Sequence, residues 1–171
     1  MRSVWSRLAA LALITPLASL SAQRCRGCVA EDTVPRVHVL PALGVRVGAP
    51  QKASFAIGLL VGEDWQSNGR DHSRNVGVFA EPGVSGGRGS LAYIHHGFGS
   101  FGSGYAVAAT VLRTWNDPWW SEPNVTYVGG DLILWPIVFI GPRVGVFRSV
   151  GTAGSGLAKR WLVTFDFGFG L

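Results

Sequence analysis

The chain has 171 residues, a formal net charge of +5 and only 15% charged residues. This length corresponds to one domain, and the basic residues form no block or stripe, which argues against nucleic acid as a partner. Soluble domains usually contain roughly a quarter charged residues. Here charge and lysine are scarce, while 24 Gly and seven Trp are present. This composition favours a β-barrel in lipid, where the backbone is satisfied within the sheet and half of each strand faces hydrocarbon.

The first 22 residues have the pattern of a secretory signal peptide. Arg2 and Arg7 precede a short apolar run over 8–20, and small residues at Ser21 and Ala22 provide a cleavage site. Cleavage after Ala22 leaves a chain of 149 residues with a formal charge of +3. The alternative is an uncleaved anchor helix, but the run is shorter than the roughly 20 apolar residues that a spanning helix needs.

Residues 23–33 are predicted to form a periplasmic N-terminal tail, which contains the pair Cys25 and Cys28. An exported chain permits a disulfide, and we expect this pair to form a small disulfide loop. A single CxxC supplies only two ligands for zinc and opens no strand–helix unit typical of a redox enzyme. We therefore expect neither a metal nor a cofactor.

From residue 34 onward, apolar residues alternate with Gly or polar residues, which is the period of a β-strand. Pro41 lacks a backbone donor and predicts a bulge or an edge-like irregularity in the first strand. Each strand approaches the roughly 9–11 residues that a tilted strand needs to cross a membrane. Eight such segments are predicted: 36–48, 55–62, 76–81, 90–97, 105–115, 127–134, 138–146 and 159–171.

The connections contain turn residues or many polar residues. The polar stretch from Glu63 to Arg74 is predicted to be a solvated loop, although it is long for the second connection of a barrel whose termini share one side. The other predicted connections are the turn at 49–52, the glycine-rich turn at 83–89, the reversal at 99–104, the aromatic loop at 116–124, the Trp135-Pro136 reversal and the final loop at 149–156.

Charged residues fall on the Gly-rich faces of the strands and not on the Val, Leu and Phe faces. A charge facing hydrocarbon near the membrane centre costs roughly 2–4 kcal/mol, so these side chains should point into the lumen. Because their signs balance, we expect an ion-paired network that fills the narrow interior, as opposed to a selective pore lining or a substrate site. Arg36 and His38 share the inward face, and the predicted network comprises Arg46, Glu81, Arg88, Asp131, Arg143 and Asp166.

Tryptophans cluster beside the predicted turns. Amphipathic rings favour the boundary between lipid and water, so an interfacial girdle is expected. Ordinary core packing is the alternative. The predicted girdle comprises Trp115, Trp119, Trp120, Trp135 and Trp161.

His95 and His96 precede Ser100 and Ser103, and a His beside a Ser could hydrolyse a lipid ester. Lipid A deacylase barrels resemble this chain in size and carry a His-x-Ser-Asn signature. The corresponding stretch here, His95 to Phe98, lacks the Ser and the Asn. A lipid-modifying hydrolase is therefore kept as an alternative function, and the simpler interpretation places one His in the lumen and the other at the interface.

The signal peptide, eight alternating strands and an aromatic C-terminal row together resemble the small outer-membrane β-barrel proteins of the OmpA, OmpX and OmpW kind. The resemblance implies an all-β, eight-stranded, antiparallel, up-and-down transmembrane barrel over residues 34–171, located in the bacterial outer membrane. It also implies lipid and the barrel-assembly machinery as partners, the latter reading Phe165, Phe167, Phe169 and Leu171. Family members usually end in Phe, whereas this chain ends in Leu171.

The expected role is non-enzymatic: structural, or a minor transport or interaction function. Fold alone gives no specific activity, and the oligomeric state is left open. A soluble, lipocalin-like periplasmic barrel is the second alternative. It requires the apolar faces to point inward around a ligand and the charged faces to point outward.

Overall fold

The computed structural model describes residues 35–67, 70–98, 103–137, 140–150 and 161–170. Over these ranges the alternating sequence forms eight β-strands, which confirms the predicted all-β fold. They are β1 (Arg36–Ala49), β2 (Lys52–Ser67), β3 (Arg70–Pro82), β4 (Gly86–Phe98), β5 (Ser103–Thr114), β6 (Thr126–Trp135), β7 (Ile140–Val150) and β8 (Trp161–Gly170).

The strands form one closed antiparallel ring in sequence order, and β1 closes it by pairing with β8. Following the pairing once around the ring from Val39 leads to Ala49, ten residues further along β1. The advance along the strand is ten residues of about 3.3 Å, and the distance around the ring is eight strand spacings of about 4.8 Å. The ratio of these two lengths gives a strand tilt of about 40°. This value lies within the range of closed barrels.

The two ends of the barrel differ. The loop end carries the β1–β2 turn, the β3–β4 turn and the segment 115–125 between β5 and β6. The terminus end carries the start of β1, the end of β8 and the β2–β3 connection. At the terminus end β1 extends beyond β8, because β8 pairs only with Gly44–Ala49 while β1 pairs with β2 from Arg36 onward.

Apolar side chains cover the outer wall. Along β8 the exposed residues alternate with buried ones, so Val163, Phe165 and Phe167 point outward while Thr164 and Asp166 point inward. The same alternation holds on the other strands, except towards the terminus end of β1, β2 and β3. This sidedness is the reverse of the one that the lipocalin-like alternative requires.

The interior is filled by side chains in three layers. An apolar layer towards the loop end contains Leu112, Val125, Tyr127, Phe147 and Leu162. A second apolar layer towards the terminus end contains Ala42, Leu60, Ala92, Ile94, Ala106 and Trp135. The charged residues lie between these two layers. Periodicity alone did not identify the inward apolar residues, because on each strand they share a face with Gly and charged residues.

Two local predictions were wrong, and a third was correct in part. The stretch from Glu63 to Arg74 is not a loop: β2 and β3 stay paired as far as Ser67 opposite Arg70, because the backbone ladder continues where the side chains become polar. The glycine-rich turn is shorter than expected, since β4 already begins at Gly86. The prediction for Pro41 was correct in part: Pro41 causes no bulge and pairs in register with Leu59, but it lies where β1 extends beyond β8 and is edge-like.

Other predictions fall outside the described residues. These include the signal peptide, Cys25, Cys28, Leu171 and most of the loop before β8. Within the described ranges, no helix is long and apolar enough to span a membrane.

Candidate functional site

The charged layer is built from six of the eight strands, each contributing one inward side chain. Arg143 on β7 is its centre. Its two terminal nitrogens donate to the two carboxylate oxygens of Glu81 on β3, at 2.6 and 2.7 Å. Its Nε donates to Asp166 Oδ2 on β8, at 2.8 Å. This bidentate geometry is the strongest form of an arginine–carboxylate pair.

The other two arginines complete the layer. Arg88 on β4 donates to Asp131 Oδ1 on β6 at 2.8 Å, and its Nη2 lies 3.4 Å from Asp166 Oδ2 as an electrostatic contact. Its guanidinium also lies over the Phe147 ring, 5.5 Å from the centroid. Arg46 on β1 donates to Asp166 Oδ1 at 3.3 Å. Asp166 is therefore shared by all three arginines.

Hydroxyl groups satisfy further carboxylate oxygens. Ser54 donates to Glu81 Oε1 at 2.6 Å, and Thr110 donates to Asp131 Oδ2 at 2.7 Å. Ser90 forms a hydrogen bond with Thr110, at 2.9 Å. These three residues are not among the predicted network residues. Each of them lies between two outward residues of its strand, and this alternation would have placed it in the interior.

The structure thus brings all six predicted network residues together, at 3–5% exposure. Three arginines face three carboxylates, which gives the layer no net formal charge. A buried charge is tolerated when it is paired and hydrogen-bonded. The arrangement joins six strands through buried ion pairs.

Little free space remains around the network. A cavity of about 30 Å³ lies between the charged layer and the apolar layer at the terminus end, lined by Arg46, Glu81, Asp131, Arg143 and Trp135 among others. A water needs roughly 10–15 Å³ of such volume. The cavity therefore has room for about two or three waters.

The segment 115–125 folds over the loop end. Its ends are joined by Thr114, whose N–H donates to Val125 O and whose carbonyl accepts from Asn124 N–H, at 3.0 and 2.9 Å. The hydroxyl of Thr114 donates to Glu122 O at 2.6 Å. Across the mouth, Trp119 N–H donates to Pro50 O at 3.2 Å.

This cover is also tied to the other turns. Asn116 Nδ2 donates to Val84 O at 3.1 Å, and Lys52 pairs with Asp117 at 2.9 Å. Asn116 and Asn124 have φ values of 53° and 62°, a left-handed conformation that asparagine tolerates. The predicted aromatic loop is therefore a structured cover over the mouth.

Four of the five predicted girdle tryptophans lie on the outside. Trp119, Trp120 and Trp161 are exposed, and Trp115 is half-buried, all towards the loop end. Trp135 was assigned wrongly: it is 2% exposed and lies inside, where its ring stacks on His96 at 5.2 Å. Trp135 shares the odd-numbered inward face of β6 with Tyr127 and Asp131, so strand parity would have placed it correctly.

The two histidines of the hydrolase alternative lie on opposite faces of β4. His95 is on the outer wall, where its ring lies 6.3 Å from His72 and 5.7 Å from Tyr105. His96 is inside, against Trp135. Adjacent strand residues point in opposite directions, so these two side chains do not form one site.

The inward residues nearest the terminus end form a polar mouth. His38 contacts Asn75 Oδ1 at 2.9 Å through Nε2 and Asp64 at 3.3 Å through Nδ1. Arg36 is exposed at the edge of this mouth. Neither residue reaches the charged layer. In the part of the chain that the structure covers, no group of three or more His, Cys, Asp or Glu residues has the geometry of a metal site.

Comparison with known proteins adds no further assignment. The chain matches no protein-family model, no curated protein and no solved structure. Its function is therefore inferred from its own sequence and geometry.

Proposed function

We propose that this chain is an integral β-barrel of a bacterial outer membrane, with a structural or anchoring role and a sealed interior. The observation that carries the proposal is the apolar outer wall around an interior whose central layer is ion-paired. An apolar outer wall is favourable in lipid, because exposed hydrocarbon side chains have no cost in contact with acyl chains. The charges lie inside the barrel, where they are paired.

The position of outward charges supports this proposal. On β5 the outward residues run from Tyr105 through Val107, Ala109 and Val111 to Arg113, so polar groups occur only at the ends. Eight residues at about 3.3 Å and a tilt of about 40° span about 20 Å along the barrel axis. With side chains that extend towards water, this height approaches the roughly 25 Å apolar band of outer-membrane barrels.

The same boundary occurs on neighbouring strands. Arg148 on β7 faces outward towards the loop end, while Glu63 on β2 and Arg74 on β3 face outward near the terminus end. Between these levels the outer wall of the described strands carries apolar residues, Gly and Pro. Two polar borders around an apolar band are typical of a membrane-spanning wall.

The sealed interior supports a structural role over transport. Among the described residues, two apolar layers and the folded cover at the loop end lie across the barrel axis. Tilted eight-stranded barrels are just wide enough to be filled by side chains. We further propose that lipid is the partner of the outer wall, and that Phe165, Phe167 and Phe169 serve in recognition by the assembly machinery.

Membrane fractionation with gel migration tests the proposal. The protein should stay in the outer-membrane fraction after alkaline washing, and it should migrate differently before and after boiling. A form that remains in solution without detergent, or a band whose migration is unaffected by boiling, would contradict the proposal.

A further inference from the structure

A groove of about 300 Å³ lies on the outer wall across β1 to β4, near the terminus end. Its lining consists of Val37, Val61, Gly62, Glu63, Arg74, Asn75, Val76 and Tyr93. The groove crosses the boundary at which the apolar wall becomes charged.

Strand pairing places this boundary between two adjacent rows of outward residues. One row contains Val61, Val76 and Tyr93, which pair in sequence across β2, β3 and β4. The next row towards the terminus end contains Glu63 and Arg74 at the corresponding positions. The groove therefore offers hydrocarbon contacts on one side and a cation with an anion on the other.

Arg74 is held in place while staying accessible. Its Nε binds Glu63, and its guanidinium lies over the Trp65 ring, 5.4 Å from the centroid. Trp65 in turn stacks on His72 at 5.4 Å. The Arg74 side chain is nonetheless 57% exposed and that of Glu63 is 23% exposed. A fixed, accessible guanidinium is well suited to a phosphate group.

We propose that this groove binds one glycerophospholipid whose headgroup carries a phosphate and a primary ammonium. The phosphate lies on Arg74, the ammonium lies on Glu63, and an acyl chain packs along Val61, Val76 and Tyr93. The neutral sum of the two protein charges matches a zwitterionic headgroup better than an anionic one. This inference rests on the proposed membrane location, since it needs the outer wall to face lipid.

Native mass spectrometry of the folded protein in a non-ionic detergent tests this site. On titration with phosphatidylethanolamine, the wild-type protein should retain one lipid, with higher affinity than for phosphatidylglycerol. Arg74→Gln should weaken retention about tenfold, equivalent to about 1.4 kcal/mol. Val76→Trp should also reduce retention, because it fills the groove without changing charge.

Arg113→Gln is the matched control, since it removes an outward arginine at the opposite border and should leave lipid retention unchanged. Gel migration before and after boiling verifies that each variant is folded. Equal retention by wild type and Arg74→Gln, a preference for phosphatidylglycerol, or displacement of the lipid by inorganic phosphate would each overturn the site. If the wild-type protein fractionates as an integral membrane protein yet retains no lipid, this inference fails while the proposed function stands.

Discussion

Arg143 makes three hydrogen bonds within the interior network, because it binds Glu81 through two nitrogens and Asp166 through a third. Its removal leaves two buried carboxylates without their main partner. An uncompensated buried charge is far more costly than the pair is stabilising. The stability of the barrel should therefore be unusually sensitive to this one position.

Arg143→Gln should lower the free energy of unfolding by about 3–5 kcal/mol. The measurement is urea unfolding of the folded barrel in lipid vesicles, followed by tryptophan fluorescence. Arg113→Gln removes an exposed arginine that donates to Thr126 and should cost less than about 1 kcal/mol. Similar losses for the two variants would contradict the role assigned to the charged layer.

Gly145 creates the space that the network occupies. A Cβ at this position would lie 2.3 Å from Asp131 Oδ1 and 2.6 Å from Thr164 Oγ1. Gly89 on the outer wall has no atom within 4 Å of an added Cβ. Alanine substitutions at the two positions therefore distinguish the cost of overpacking the interior from the effect of backbone entropy.

Gly145→Ala should destabilise the barrel by about 1–3 kcal/mol through overpacking. Gly89→Ala should change stability by less than about 1 kcal/mol, since only backbone entropy changes. Urea unfolding of both variants in the same vesicles compares them directly. A larger loss at Gly89 than at Gly145 would be inconsistent with the interior described above.

Among the elements, the β2–β3 hairpin shows what sequence patterns reveal and what they miss. Alternation identified both strands where one face is apolar, and the inward position of Glu81 followed from its place opposite the apolar face. The pattern ended at Gly62 because the hairpin becomes polar on both faces beyond the apolar wall. Backbone pairing continues to Ser67, and no periodicity of hydrophobicity marks it.

The network residues could be predicted as a set, but their partners could not. The arginine with which each carboxylate pairs depends on the strand register, which advances by ten residues along β1 after one turn of the ring. The sequence of a single strand does not determine this register. The pairing of Arg143 with Glu81 joins β7 and β3, which lie far apart in the sequence. Trp135 differs from the network partners, because its position could have been predicted. Its odd number on β6 places it inside, but its position next to a turn led to the wrong prediction of an interfacial residue.

Thr114 holds the segment 115–125, which forms the cover over the loop end, in its folded conformation. Its side chain is fully buried, and its hydroxyl donates to Glu122 O and accepts from Val125 N–H at 3.2 Å. Loss of these bonds should free both ends of the segment 115–125. The barrel wall below should stay intact, because strand pairing does not involve this hydroxyl.

Thr114→Val should speed chymotrypsin cleavage after Trp119 or Trp120 several-fold, while the unfolding midpoint changes little. Thr126→Val serves as control, since Thr126 accepts a bond from Arg113 and holds no part of the cover. Limited proteolysis of vesicle-embedded protein measures both rates. Unchanged cleavage in Thr114→Val would show that other contacts hold the segment in place.

On the scale of the whole molecule, the three interior layers and the cover follow one another along the barrel axis. The cavity of about 30 Å³ between the charged layer and the apolar layer at the terminus end has room for waters only. We expect a barrel with this interior to stabilise its own wall and not to conduct.

In planar bilayers the wild-type protein should give no steady ion conductance above that of the lipid. Arg143→Gln should not open a channel either, since both apolar layers remain. Single-channel recording is the measurement. Reproducible open events with the folded wild-type protein would contradict the sealed interior.

The central claim is that the apolar wall faces lipid, and site-directed spin labelling along β5 tests it most directly. Labels at successive positions from Val107 to Val111, in a background without Cys25 and Cys28, are compared in vesicles for collision with oxygen, which partitions into hydrocarbon. We expect high collision rates at Val107, Ala109 and Val111 and low rates at Ala108 and Thr110. Uniform rates, or the opposite alternation, would contradict the account.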